Sequence, residues 1–127
     1  MASVLIIDDN EQLAAPLAAL LRSEGHNATY APGAGAALSQ LRLSPPDLVL
    51  LDLSMPLVDG LELLEALRSE PRFADVRVAI LSSRDDSASV AEAERLGACE
   101  FIVKGSDWDE IYTRVKANLP GGTSYDA

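Results

Sequence analysis

Apolar segments of strand length alternate along the chain with segments whose apolar residues have helical spacing. Several of the strand-like segments are almost continuous runs of Val, Ile, Leu and Ala, which is typical of strands buried on both faces. The five predicted strands cover residues 3–8, 28–31, 47–53, 76–82 and 99–104. Strict alternation of strand and helix predicts an α/β fold, with a parallel sheet covered by helices on both faces.

The segments between the strands carry their apolar residues on one helical face. The last of them shows this most clearly, with apolar residues at Trp108, Ile111, Tyr112, Val115 and Leu119. The fourth segment, residues 86–96, is helical by composition but weakly apolar, so we expect it to be the least buried helix. Pro16 falls inside the first predicted helix, where it removes a backbone hydrogen bond and should kink the helix.

The length of the chain, 127 residues, suits one domain with a single core. Glycine and proline residues fall at the ends of the predicted elements, where helix and strand breakers belong. We expect one domain over residues 1–119, followed by a short flexible tail over residues 120–127. The tail could also be the beginning of a linker, if the chain is part of a longer protein.

The charge balance narrows the classes of partner. The chain has 20 acidic and 10 basic residues and a net charge of −10, which opposes direct binding to nucleic acid or to anionic membranes. No apolar run approaches the roughly 20 residues of a membrane helix, and the first residues lack the pattern of a signal peptide. We therefore expect a cytoplasmic protein whose partners are proteins or cations. Cys99 lies in an apolar stretch and is interpreted as a core thiol.

Polar side chains end four of the five predicted strands. They are Asp8 and Asp9 after the first strand, Asp52 after the third, Ser82 and Ser83 after the fourth, and Lys104 after the fifth. The carboxyl ends of parallel strands face one rim of a sheet. In the flavodoxin-like strand order 2-1-3-4-5 the first and third strands are neighbours, so these side chains should converge on that rim.

Three carboxylates so close together repel one another unless a cation lies between them. Magnesium prefers oxygen ligands and takes only one or two carboxylates directly, so we expect Asp9 and Asp52 to bind it and Asp8 to act through a water molecule. Manganese is possible in its place. Lys104 and the Ser82 hydroxyl are then well placed to contact an incoming phosphoryl group.

Each of these residues also has a plain structural interpretation. Asp8, Asp9 or Asn10 could cap the first helix, the serines could be turn residues, and the lysine could simply be solvated. The joint placement of all of them at strand ends favours a functional site over these separate explanations.

At these residues the sequence resembles the receiver domains of two-component response regulators, over residues 3–119. The resemblance rests on the stretches "IIDDN", "LLDLSMPLVDG", "ILSS" and "GACEFIVK", and the chain looks like a single-domain receiver of the chemotaxis-regulator type. It implies that a histidine kinase or histidine phosphotransfer protein passes a phosphoryl group to Asp52. It also implies that the backbone carbonyl of Ser54 joins Asp9 and Asp52 around magnesium, with Asp8 in the outer shell.

The same resemblance implies a switch rather than an enzyme, one that assists its own phosphorylation and dephosphorylation. Ser82 and Lys104 would contact the phosphoryl oxygens, and Phe101 would turn inward as Ser82 does. That movement would remodel the face of the fourth helix, fifth strand and fifth helix, where a downstream protein would bind. Phe101 could equally be an ordinary core aromatic.

The sequence departs from the family pattern after the lysine, where Gly105 replaces the usual proline. A cis peptide bond without proline costs about 3 kcal/mol, so we expect a trans bond and a differently shaped loop. Ser83 and Arg84 follow the hydroxyl, near the point from which water would attack the phosphate. By analogy with the family these two residues and Ser54 set the lifetime of the phosphate.

Three other functions fit parts of the pattern. A flavodoxin-type electron carrier shares the architecture, but "DDNEQ" after the first strand presents carboxylates where a phosphate would bind. A haloacid dehalogenase-type phosphatase needs a second aspartate two residues after its nucleophile, and Ser54 occupies that position. A receiver-like docking adaptor that is never phosphorylated would not need the complete set of Asp, Ser and Lys residues found here.

Overall fold

Five strands form one parallel sheet in the computed structural model, which describes residues 2–120. The strands are β1 (Ser3–Ile7), β2 (Asn27–Ala31), β3 (Leu48–Leu51), β4 (Val78–Ser82) and β5 (Glu100–Val103). Their order is β2-β1-β3-β4-β5 and all four pairings are parallel. The predicted fold class and the flavodoxin-like strand order are therefore confirmed.

Helices cover both faces of the sheet. They are α1 (Glu11–Ser23), α2 (Ala34–Leu43), α3 (Gly60–Ser69), α4 (Ser87–Arg95) and α5 (Trp108–Ala117), with a 3-10 turn at Pro71–Phe73. Apolar residues of α2, α3 and α4 pack in the core on one face, and those of α1 and α5 pack in the core on the other. Among residues 2–120 no helix has the length and apolar character that crossing a membrane requires.

Strand residues alternate between these two cores, which explains why the strand sequences are continuously apolar. Val49 and Leu51 of β3 pack under α2 and α3, whereas Leu48 and Leu50 pack under α1 and α5. All four are buried. The strand that precedes Asp52 is thus held from both sides, because neither of its faces is free to move into solvent.

Two predictions of burial are wrong. Cys99 is exposed, because it lies just before β5, an edge strand that pairs only with β4. Trp108 is 37% exposed, because it is the first residue of α5 and lies at the end of the apolar face on which Ile111 and Val115 are buried. Helix α1 continues through an exposed Pro16, and the predicted kink remains untested.

Arg68 ties α3 to the C-terminal end of α4. Its guanidinium group donates hydrogen bonds to the carbonyl oxygens of Leu96, at 2.7 Å, and Gly97, at 3.3 Å. It also donates to the carbonyl oxygens of Phe73, Ala74 and Val76. Within α4 itself only Ser89 and Ala93 are buried, but α2 and α5 also have two buried residues each, so the prediction that α4 is the least buried helix is not confirmed. This end of α4 is therefore held both by hydrogen bonds to backbone and by the packing of Ala93 and Leu96 in the core.

The predicted domain boundary at residue 119 stays a prediction. Residues 121–127 of the predicted tail lie outside the described residues.

Candidate functional site

The aspartates predicted at the strand ends meet at one rim of the sheet. Asp8 follows β1 directly and Asp52 follows β3 directly, and Asp9 stands next to Asp8. Each of the three offers a carboxylate oxygen that lies within 4.8 Å of the other two. Asp8 and Asp52 are buried, at 2% and 3% exposure, while Asp9 is exposed. The cluster thus has a buried floor and one carboxylate open to solvent.

Lys104 enters the same cluster from the end of β5. Its Nζ lies 2.9 Å from Oδ2 of Asp8 and 3.5 Å from Oδ2 of Asp52. One ammonium group cannot balance three ionised carboxylates, so the cluster retains excess negative charge. Oxygen donors with such a charge are the ligands that a hard divalent cation such as Mg²⁺ prefers, and Asp8, Asp9 and Asp52 fit that ion by their chemistry.

The surroundings of Asp8 raise the pKa of its carboxyl group. Burial is the largest influence and raises the pKa of its carboxyl group, and the nearby Asp52 carboxylate raises it further. Hydrogen bonds from the Asn10 backbone and from Lys104 lower the pKa without cancelling the effect of burial. The charged form of Asp8 is therefore disfavoured in the folded protein without a metal ion.

Residues 8–10 can also be interpreted from sequence as a cap of α1, and the structure agrees with this only in part. Asn10 is the N-cap residue of α1, but its side chain makes no capping hydrogen bond. Instead Oδ1 of Asp8 accepts a hydrogen bond from the Asn10 N–H at 2.8 Å. The bond helps to fix the orientation of the Asp8 carboxylate at the rim.

Backbone contacts on both sides position Asp52. Its N–H donates to the carbonyl oxygen of Ile7 at 2.9 Å, which aligns the end of β3 with the end of β1. Its Oδ1 accepts from the Ser54 N–H at 3.2 Å. A Cβ atom added at Gly60 would lie 2.3 Å from the Asp52 carbonyl oxygen, so the start of α3 presses directly against the backbone of Asp52. Only glycine permits this approach.

The remaining predicted residues have different surroundings. Ser82 ends β4 and is fully buried, and its Oγ accepts a hydrogen bond from the Arg84 N–H at 3.1 Å. Ser54 is exposed and forms an isolated β-bridge with Asp59. Phe101 lies on β5, half-buried against the core under α3 and α4. The peptide bond between Lys104 and Gly105 is trans, as predicted.

Arg84 and Asp59 form an ion pair that the sequence did not predict. Nη2 of Arg84 lies 3.0 Å from Oδ1 of Asp59, and Nη1 lies 3.3 Å from Oδ2. Burial acts to raise the pKa of Asp59, but the hydrogen bonds from Arg84 and from the Leu61 backbone hold it below its usual value. The two residues are 25 apart in sequence, and no local pattern indicates that they pair. The sequence pattern likewise indicates Gly60 only as a helix breaker.

The sequence is similar to a known protein family and to characterised proteins. The family model described as the response regulator receiver domain matches residues 4–116. The sensory transduction protein RegX3 of Mycolicibacterium smegmatis is 36% identical over 126 residues, which is 99% of this chain and 54% of RegX3. The DNA-binding response regulator MtrA of the same organism is 32% identical over 91% of this chain and 50% of MtrA. The chain spans about half the length of these relatives.

Solved structures show a similar fold. The non-phosphorylated HemR receiver domain of Leptospira biflexa has a TM-score of 0.86 and 25% identity, covering 93% of this chain and 94% of its own. The chemotaxis protein CheY4 of Vibrio cholerae has a TM-score of 0.84 and covers 94% of this chain and 99% of its own. Its identity of 22% supports the fold alone.

We predict that Gly60→Ala distorts the backbone of Asp52 and lowers the free energy of unfolding by about 2 kcal/mol, because the new methyl group overlaps the Asp52 carbonyl. The matched control is Gly35→Ala in the first turn of α2, where an added Cβ meets open space. The control should be neutral or stabilising by roughly 0.5 kcal/mol. Urea denaturation measures both, and equal stabilities of the two variants would contradict the role of Gly60.

Proposed function

The chain belongs to the response regulator receiver domain family, whose members act in phosphorelay signal transduction, and we propose that Asp52 is its phosphoacceptor. The observation that carries this proposal is the placement of a buried carboxylate 3.5 Å from the Lys104 ammonium and within 4.8 Å of the carboxylates of Asp8 and Asp9. The donor would be a histidine kinase or a histidine phosphotransfer protein. Asp8 is also buried at the end of an interior strand, and what distinguishes Asp52 is that the start of α3 packs directly against its backbone carbonyl at Gly60.

The chemistry is an in-line displacement at phosphorus. A carboxylate oxygen of Asp52 forms a bond to phosphorus as the bond from phosphorus to the donor nitrogen breaks, which leaves an aspartyl phosphate and a neutral histidine once the ring nitrogen has its proton. Lys104 already lies close enough to Asp52 to contact the transferred group and neutralise part of its charge. Ser82 would donate its hydroxyl hydrogen to another phosphoryl oxygen.

The acidic cluster supports magnesium as the cofactor, with manganese as a substitute. Asp9, Asp52 and the backbone carbonyl of Ser54 would hold the ion, and Asp8 would contact it through water. When bound, the ion offsets the negative charge of the carboxylates and of the transferring group. Asp8 also orients the site without the ion, because it holds Lys104 at 2.9 Å from its own carboxylate.

The chain would act as a switch and not as an enzyme on external substrates. Ser54 stands two residues after Asp52, where a phosphatase of the haloacid dehalogenase type has its acid–base aspartate. Loss of the phosphoryl group would then depend on water and on the residues near it. The domain assists its own phosphorylation and dephosphorylation without turning over a separate substrate.

The output surface we propose is the face formed by α4, β5 and α5. Phe101 supports this assignment, because it lies half-buried on the edge strand of that face. The small buried side chains of α4 suit an element that can shift. A net charge of −10 favours a protein as the downstream partner of this domain rather than nucleic acid. Location in the cytoplasm remains a prediction.

We predict that Asp8→Asn raises the free energy of unfolding without magnesium by roughly 1 kcal/mol, because it removes a buried charge that the fold disfavours. The same variant should lose most of the rise in melting temperature that Mg²⁺ gives the unsubstituted protein. Asp9→Asn is the control, since Asp9 is exposed: it should lose the response to Mg²⁺ with little change in its absence. If Asp8→Asn were less stable than the unsubstituted protein without Mg²⁺, the ion pair with Lys104 would outweigh the cost of the buried charge and the prediction would be wrong.

Phosphorylation at Asp52 is tested with acetyl phosphate and Mg²⁺, followed by intact-mass measurement. The unsubstituted protein should gain the mass of one phosphoryl group, and Asp52→Asn should gain none, because an amide is not a nucleophile for this transfer. Omission of Mg²⁺ should slow the gain strongly. If Asp52→Asn gained the same mass, or the unsubstituted protein gained none, the proposed phosphoacceptor would be wrong and a docking adaptor would become the better explanation.

A further inference from the structure

The ion pair between Arg84 and Asp59 connects the two segments that carry the reacting groups of the site. Asp59 lies seven residues after Asp52, and Arg84 lies two residues after Ser82. Both terminal nitrogens of the guanidinium group contact the Asp59 carboxylate, at 3.0 Å and 3.3 Å. A two-point contact of this kind restrains direction as well as distance.

The Asp59 end of the pair is rigidly attached to the backbone around Asp52. Asp59 caps α3 by accepting a hydrogen bond from the Leu61 N–H at 2.8 Å, and it pairs with Ser54 in a β-bridge. The N–H of Gly60 donates to the carbonyl oxygen of Leu53 at 2.9 Å. Asp59 therefore cannot move far without disturbing the start of α3.

The Arg84 end of the pair lies in the loop that follows Ser82, and this loop would have to move if Ser82 moved. The Arg84 N–H donates to Oγ of Ser82 at 3.1 Å, so the hydroxyl oxygen is engaged by its own loop. The side chain of Arg84 then fastens that loop to Asp59. Its Nε–H is buried and has no hydrogen-bond partner among residues 2–120, so the guanidinium is incompletely satisfied in this arrangement.

The other end of α4 is held differently. There Arg68 donates to the backbone carbonyls of Leu96 and Gly97. These bonds do not involve an ionised partner close to Asp52, whereas the Arg84 pair lies beside the site. Of these two attachments, the Arg84 pair is therefore the one that adjoins Ser82 and Asp52.

We propose that the Arg84–Asp59 pair is a latch: it holds Ser82 in the position that this residue has while Asp52 is unphosphorylated, and it thereby slows phosphorylation of Asp52. Arg84 and Asp59 are positioning residues, because they act through Ser82 and its loop. The inference rests on the proposed function, since the latch matters only if Ser82 moves to contact a phosphoryl group on Asp52. Phosphorylation of Asp52 must then supply the free energy that breaks the ion pair between Arg84 and Asp59.

The latch is tested by the rate at which acetyl phosphate and Mg²⁺ phosphorylate the protein, followed by intact mass. In this reaction an oxygen of Asp52 bonds to phosphorus as acetate leaves. Arg84→Ala and Asp59→Asn should each raise the rate about two- to fivefold, the change expected from losing a partly exposed ion pair. Asparagine retains the ability to cap α3, so Asp59→Asn removes the charge and leaves the cap.

The two variants separate a latch from a simple effect of charge on the acetyl phosphate anion. Loss of a positive charge at Arg84 and loss of a negative charge at Asp59 should change electrostatic attraction of the anion in opposite directions. Opening of a latch changes the rate in the same direction for both. The double variant should be no faster than either single variant, because a latch is lost only once. Arg84→Lys, which can still form an ion pair, should lie closer to the unsubstituted protein.

Arg95→Ala is the matched control, since Arg95 also belongs to the α4 region but pairs with Glu92 on the same helix. Its phosphorylation rate should be unchanged. Opposite changes in the two single variants, additive changes in the double variant, or unchanged rates would overturn the latch and leave Asp52 as phosphoacceptor. Failure of the unsubstituted protein to be phosphorylated would instead overturn the proposed function and the latch together.

Discussion

The close approach of three carboxylates at the rim of the sheet is the constraint on which the rest of the site depends. Asp8, Asp9 and Asp52 bring their oxygens within 4.8 Å of one another, and two of them are buried. Such an arrangement is unfavourable unless positive charge offsets it. Lys104 supplies part of that charge, at 2.9 Å from Asp8. The remaining negative charge is of the kind that a hard divalent cation would offset.

The fold holds this unfavourable cluster together through its backbone. Strand β3 is buried on both faces and aligned with β1, and α3 begins against the carbonyl of Asp52 where Gly60 leaves room. The energy that fixes Asp52 is therefore distributed over apolar packing far from the rim. By contrast, α4 is attached at its ends by Arg68 and by the loop of Arg84, and Ala93 is the only apolar residue within the helix that is buried. A firmly held Asp52 beside a helix with a single buried apolar residue is a combination suited to switching.

The sheet and the convergence of the polar residues could be predicted because both follow from local pattern and topology. Continuous apolar runs indicate buried parallel strands, and parallel strands place their carboxyl ends together. The pair of Arg84 with Asp59 could not be predicted, since it depends on side-chain directions in two loops that are distant in sequence. The need for Gly60 arises from one close backbone contact. The burial of Cys99 and Trp108 was wrongly predicted because apolar character does not reveal that a residue lies beside an edge strand, as Cys99 does, or at the first position of a helix, as Trp108 does.

The central claim is that the carboxylate of Asp52, and not that of Asp8 or Asp9, becomes the acyl phosphate. Borohydride reduction of the phosphorylated protein converts an aspartyl phosphate into homoserine, and tandem mass spectrometry then locates the changed residue. We predict homoserine at position 52 alone, and only in samples that have received phosphoryl groups. Homoserine at position 8 or 9, or phosphorylated protein that yields no homoserine at position 52, would contradict the claim.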